Sequence, residues 1–83
     1  LVNRVVDPDE LAEATTALAA QIASAPPVTV RMIKRATYQS AGTDLRTALD
    51  LISSHFAVVA ATEDAAEALA AMKDKRPPVF RGR

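Results

Sequence analysis

Apolar residues recur at helical spacing in four stretches of this chain, and each stretch is bracketed by residues that start or stop helices. The opening Leu1-Val2-Asn3-Arg4-Val5-Val6 is rich in β-branched side chains but too short for a sheet of its own, so it is expected to run extended. Asp7, Pro8 and Glu10 then read as a helix start. Asp7 can cap free amides, Pro8 fits the first helical position and Glu10 can reach back, while Val6 and Leu11 can close a hydrophobic staple. Leu11, Ala14, Leu18, Ile22 and Ala25 continue one face of this first helix until Pro26-Pro27 ends it. Pro27 can open a second helix, with Val30, Ile33 and Thr37 on one side and Arg31, Lys34, Arg35 and Tyr38 on another.

Gly42 is the expected stop of the second helix and Thr43 the expected cap of the third. Leu45, Leu49, Ile52, Phe56 and Val59 come next at steps of four, three, four and three, which makes the third helix the expected spine of the core. Leu51 and Val58 lie off that stripe, so the third helix is expected to bury a second side, in a subunit or domain contact. Thr62-Glu63-Asp64 reads as a cap followed by two acids in a first turn. Lys73, Lys75 and Arg76 then fall where a helix C-terminus favours cations, so the fourth helix is expected over about residues 63 to 75. Pro77-Pro78 prevents continuation, and Phe80, on the extended tail, is expected to tuck into something. The predicted fold class is all-α: about four helices in a small bundle with extended ends.

Composition narrows this picture. Of 41 hydrophobic residues among 83, 18 are Ala, so the interior must be thin or completed by a partner. Leu, Ile, Val and Phe together number 20, which with zero net charge is enough for folding. Without cysteine there is no disulfide framework and no thiolate nucleophile, and a single histidine gives no His-rich metal site. No metal-binding residues are assigned, and a reducing, cytoplasmic location is the simplest expectation. No apolar run reaches the ~20 residues of a membrane span, and the chain begins without Met, as a segment of something longer would.

The strongest charge asymmetry is at the end, where Lys73, Lys75, Arg76, Arg81 and Arg83 face one acid, Asp74, across the last eleven residues. Such a cluster suits an anion, most simply a phosphate, though helix-dipole compensation and a solvated tail account for it as well. Nucleic acid is not the expected partner, since the net charge is zero and no aromatics interleave with the cations. His55, between Ser54 and Phe56, is read as a partly buried structural histidine, because neighbouring helical residues point in different directions. Glu63, Asp64 and Glu67 sit in the first turns of the fourth helix, where acids are stabilising anyway, and are assigned no chemistry. The two glycines, Gly42 and Gly82, make no phosphate loop.

Taken in order, the β-branched opening, Pro26-Pro27 with Arg31-Met32-Ile33-Lys34, Thr62-Glu63-Asp64 with Glu67, and Lys75-Arg76-Pro77-Pro78-Val79-Phe80 resemble the C-terminal part of the crotonase superfamily, above all enoyl-CoA hydratases. The resemblance covers essentially all 83 residues. It implies a small helical domain that comes after a larger α/β core and packs into trimers or hexamers. It also implies an acyl-CoA substrate, with coenzyme A as part of that substrate and no tightly bound cofactor. The family's catalytic carboxylates and oxyanion amides lie in that core, so no catalytic residue is carried over to this chain. Lys75 stands where these enzymes place a lysine that contacts the CoA nucleotide, and Met72 where a Phe commonly packs near the adenine. Ala68 stands in place of a common glycine and Tyr38 in place of a frequent Asn. The expected function is the C-terminal domain of an enoyl-CoA hydratase of fatty-acid metabolism. The alternatives are another crotonase-type enzyme, an isomerase or acyl-CoA hydrolase, and a purely structural oligomerisation module.

Overall fold

The computed structural model describes residues 2–83; the Leu1 end of the predicted extended opening lies outside the described residues. Four helices succeed one another: α1 (Leu11–Ala23), α2 (Pro27–Ser40), α3 (Leu45–Ala60) and α4 (Glu63–Asp74). No strand occurs among the described residues, so the all-α expectation with extended ends holds.

The helix starts and stops differ in places from the sequence expectation. Asp7 does not cap α1 with its side chain; its carbonyl accepts the Glu10 N–H at 3.0 Å, closing a separate turn. The α ladder begins only when Ala14 N–H reaches Glu10 O at 2.9 Å. Pro8, with no N–H and a fixed φ, suits that preceding turn as well as it suits a first helical position. Pro27 does open α2. Gly42, however, is not a left-handed stop: α2 ends at Ser40, and Ala41 comes next in right-handed geometry. Thr43 does not cap α3 either, because its hydroxyl turns back to Ser40 O at 3.3 Å. Asp44 is the cap, its Oδ1 accepting the Arg46 and Thr47 N–H groups at 3.0 and 3.2 Å and its Oδ2 accepting the Thr47 hydroxyl at 2.6 Å. These bonds, led by the Thr47 hydroxyl, hold the Asp44 carboxyl below its ordinary pKa. Thr62 caps α4 as expected, accepting from Ala65 N at 3.1 Å.

Helices α2 and α3 form the main packing unit, a helical hairpin across a four-residue connection, and α3 makes a smaller contact with α4. The least exposed row of α3 is Ala48, Leu51, His55 and Val59, and its counterpart on α2 is Thr29, Met32, Ala36 and Ser40. The predicted spine is therefore displaced: Leu45, Leu49, Ile52 and Phe56 point away from this contact, Phe56 at 70% exposure. Leu51, expected on a second buried side, is in the packed row, while Val58 is exposed. The packed rows pair the small Ala36 and Ala48 with the larger Met32 and Leu51, a mixture of sizes that lets facing layers interdigitate.

Among the described residues only Ala71 and Asp64 are fully buried, both on α4. The radius of gyration is 16.0 Å, whereas a compact chain of this length would have about 12 Å. The accessible surface of 6934 Å² likewise exceeds the ~4,800 Å² of a compact 8.8 kDa monomer. The thin interior expected from the alanine content is what the fold has.

The α3 cap gives a direct check. Asp44→Ala should clearly lower stability in chemical denaturation of the full-length protein, and Thr43→Ala should change it far less. Equal losses from both substitutions would remove the assignment of Asp44 as the cap.

Candidate functional site at the C-terminal end of the fourth helix

The chain after α4 turns back along its own helix, and three carboxylates from the first turns of α4 take hold of it. Asp64, 1% exposed, accepts the Arg81 N–H on Oδ1 at 2.7 Å and the Gly82 N–H on Oδ2 at 2.8 Å. Its own backbone N–H, which α4 cannot use internally, donates to Arg83 O at 3.0 Å. Gly82 passes through at φ +76, a conformation open to glycine, with Pro27 of α2 beside it. Glu67 accepts Arg76 Nη1 and Nη2 at 2.6 and 2.9 Å in a two-pronged pair, and also the Val79 N–H at 2.9 Å. Glu63 receives Arg83 Nε at 2.9 Å. Phe80 is half-buried on this returning tail, as expected.

The hydrogen bonds from Arg76, then that from Val79, pull the Glu67 carboxyl from its usual 4.5 down to about 2. Arg76 is raised in turn, chiefly by its hydrogen bond to Glu67.

At the end of α4 the geometry is specific. Arg76 N–H bonds Ala71 O at 3.0 Å and Lys75 N–H bonds Met72 O at 3.3 Å, the paired bonds of a Schellman stop. The left-handed residue that such a stop requires is Lys75, at φ 53 and ψ 40, the one non-glycine with positive φ among the described residues. That position usually falls to glycine or asparagine, and a lysine there costs about 1–2 kcal/mol. Lys75 therefore lies just beyond the helix, not within it as the sequence suggests. Met72, one turn earlier, is 73% exposed.

The basic cluster is thus divided. Arg76 and Arg83 are paired with carboxylates, and among the described residues Lys73, Lys75 and Arg81 make no ion pair. Sequence reasoning singles out Met72 and Lys75 near the end of α4 but misses the clasp formed by Glu63, Asp64 and Glu67. The signal that could have found it is the pairing of an acid-rich first turn with a tail carrying arginines beyond a double proline.

His55 Nδ1 donates to Leu51 O at 2.6 Å, and the Ser53 and Ser54 hydroxyls donate to carbonyls of their own helix at 2.9 Å. These bonds all stay within α3, and none joins His55 to a serine. Among the described residues no group of three or more His, Asp or Glu side chains is arranged to hold a metal ion, and no helix is long and apolar enough to cross a membrane.

With this geometry established, similarity to known proteins assigns the class. Residues 1–83 match the enoyl-CoA hydratase/isomerase family over their whole length, and the chain belongs to that family. It is 38% identical over 76 residues to the short-chain-enoyl-CoA hydratase of Clostridium acetobutylicum, covering 92% of this chain and 29% of that protein. It is 37% identical to the (E)-benzylidenesuccinyl-CoA hydratase of Thauera aromatica, over 99% of this chain and 32% of that one. The crystal structure of an enoyl-CoA hydratase from Bacillus anthracis superposes with a TM-score of 0.92 at 35% identity, covering 95% of this chain and 31% of that chain. The chain spans about a third of the length of each of these three proteins.

The depressed Glu67 carboxyl makes a pH-dependent contribution with a fixed sign. An ionised native Glu67 stabilises the fold fully above the unfolded value near 4.5, and that contribution is lost as pH falls through about 2. Glu67→Gln should therefore be less stable than wild type at pH 6 in denaturant titration, with the gap closing between pH 4.5 and 2. A gap that stayed constant over that range would contradict the assignment.

Proposed function

We propose that the parent protein is an enoyl-CoA hydratase, adding water across the double bond of a 2-enoyl-CoA thioester to give 3-hydroxyacyl-CoA in fatty-acid metabolism. In this reading the described residues form its C-terminal helical domain. The catalytic carboxylates and oxyanion amides reside in an N-terminal core, this domain supplies contacts in a cytoplasmic trimer or hexamer, and the substrate carries coenzyme A. The reading is supported by the hydratase names of the similar proteins and by the family match over the whole chain. The exposed rows Leu45, Leu49, Ile52 and Phe56 on α3 and Leu69 with Met72 on α4 are apolar surface that a core domain or neighbouring subunit would cover.

Within the site, Lys75 holds a phosphate of the CoA nucleotide and Met72 packs near the adenine. The observation that carries this is Lys75 itself: a cation without an ion pair among the described residues, held at a backbone position where a lysine is costly and glycine would be cheaper. Strain retained at a charged, accessible residue fits a side chain kept for a ligand. A thioether can contact an aromatic ring, so Met72 suits an adenine neighbour.

In the full-length enzyme, Lys75→Ala should raise KM for crotonyl-CoA about tenfold to a hundredfold, the equivalent of one charge-assisted hydrogen bond of ~1.5–3 kcal/mol. The loss should fall on KM and not on kcat, because the contact is equal in ground and transition states, and it should vanish with a crotonyl thioester ending at pantetheine. Lys75→Gly should lose the same affinity while gaining about 1 kcal/mol of stability by relieving the left-handed strain. Unchanged KM in both variants would defeat the CoA assignment. The 83-residue chain by itself is expected to show no hydration of crotonyl-CoA above background, and measurable turnover would place catalytic groups within it.

A further inference from the structure

Lys75 cannot hold its backbone geometry alone. A left-handed lysine is disfavoured by about 1–2 kcal/mol, and of the two bonds closing the helix end, the one from Lys75 N–H is long at 3.3 Å. The segment just after Lys75 is held more firmly. Arg76, the next residue, gives Glu67 a two-pronged pair at 2.6 and 2.9 Å, and Val79 N–H gives the same carboxylate a third bond at 2.9 Å. Between those anchor points lie Pro77 and Pro78, whose rings fix φ, so the segment from 76 to 79 behaves as a short strut tied at both ends. One turn of α4 separates Glu67 from Ala71, whose carbonyl receives Arg76 N–H at 3.0 Å, so the side chain and the backbone of Arg76 dock on the same side of the helix.

We propose that Glu67 is a positioning residue for coenzyme A binding: by tying Arg76 and Val79 to α4, it keeps Lys75 in the left-handed conformation and so fixes the direction in which the Lys75 ammonium leaves the helix end. The proposal rests on the coenzyme A reading of Lys75 given above. It also predicts a sign that plain electrostatics does not. Neutralising a carboxylate near an anion site would strengthen anion binding by Coulomb's law, whereas loosening the strut weakens it.

The test is a double-mutant cycle in the full-length enzyme, reading free coenzyme A affinity by titration calorimetry for wild type, Glu67→Gln, Lys75→Ala and the double variant. Glu67→Gln, which keeps an acceptor for Val79 but loses the charged pair, should weaken coenzyme A about threefold to tenfold. It should leave pantetheine binding and kcat with crotonyl-CoA unchanged, and have no further effect in the Lys75→Ala background. Arg76→Lys, which preserves charge but cannot present two parallel donors, should reproduce the loss. If Lys75→Ala itself leaves coenzyme A affinity unchanged, the CoA reading falls and the positioning role with it. If Lys75→Ala weakens binding but Glu67→Gln does nothing, tightens it, or subtracts equally in both backgrounds, the CoA reading stands and the positioning role is wrong. A fall in kcat with both coenzyme A and pantetheine esters would also overturn it, marking Glu67 as a general structural residue.

Discussion

The buried carboxylate of Asp64 organises the C-terminal quarter of this chain. A carboxylate removed from water is tolerated only when its oxygens are occupied, and here each oxygen takes a backbone N–H from the returning tail, while the residue's own N–H is taken by Arg83 O. The same three bonds satisfy donors and an acceptor of a segment with no ladder of its own. While Asp64 ties the tail at residues 81 to 83, Glu67 ties the stretch from 76 to 79 to the same helix. With that stretch tied, the helix end at Lys75 has a defined shape. A chain with almost no apolar interior thus defines one of its surfaces by polar bonds to a helix N-terminus.

Two energy scales meet at that surface. An exposed ion pair such as Arg83 with Glu63 contributes little, because both partners are well hydrated when apart. The pair of Arg76 with Glu67 is different in kind: two parallel bonds and a third from Val79 converge on one carboxylate, so geometry is specified as well as charge neutralised. The remaining cations, Lys73, Lys75 and Arg81, are left without ion pairs among the described residues, so the positive character of the region is concentrated on fewer side chains than the sequence count implies.

Helix positions are legible in the sequence because prolines, caps and periodicity are local signals. Pro27 and Thr62 act where those signals place them. The cap of α3 falls one residue later than the expected Thr43: the Asp44 carboxylate accepts three bonds, and the Thr43 hydroxyl, turned back to the previous helix, accepts none of them. The α3 stripe misleads for a different reason. Periodicity finds an apolar face but not what lies against it, and the contact between α2 and α3 selects the row with Ala48 and His55 over the one with Phe56. The clasp is illegible because the acids of α4 have a sufficient local explanation in the helix dipole, and nothing local shows that a tail about ten to twenty residues away returns to them. Lys75 and Met72 stand out through family resemblance, whereas the left-handed backbone of Lys75 is visible only in three dimensions.

The side-chain ties of the clasp span sequence separations of only 9 to 20 residues. Loop-closure entropy grows slowly with length, so the longest of these ties costs only about 0.7 kcal/mol more to close than the shortest. Segments of this size meet by diffusion in roughly 10–100 ns. Loops this short close quickly, so a tail lifted from α4 finds its way back fast. In kinetic terms the C-terminal surface is a latch built for fast re-closure.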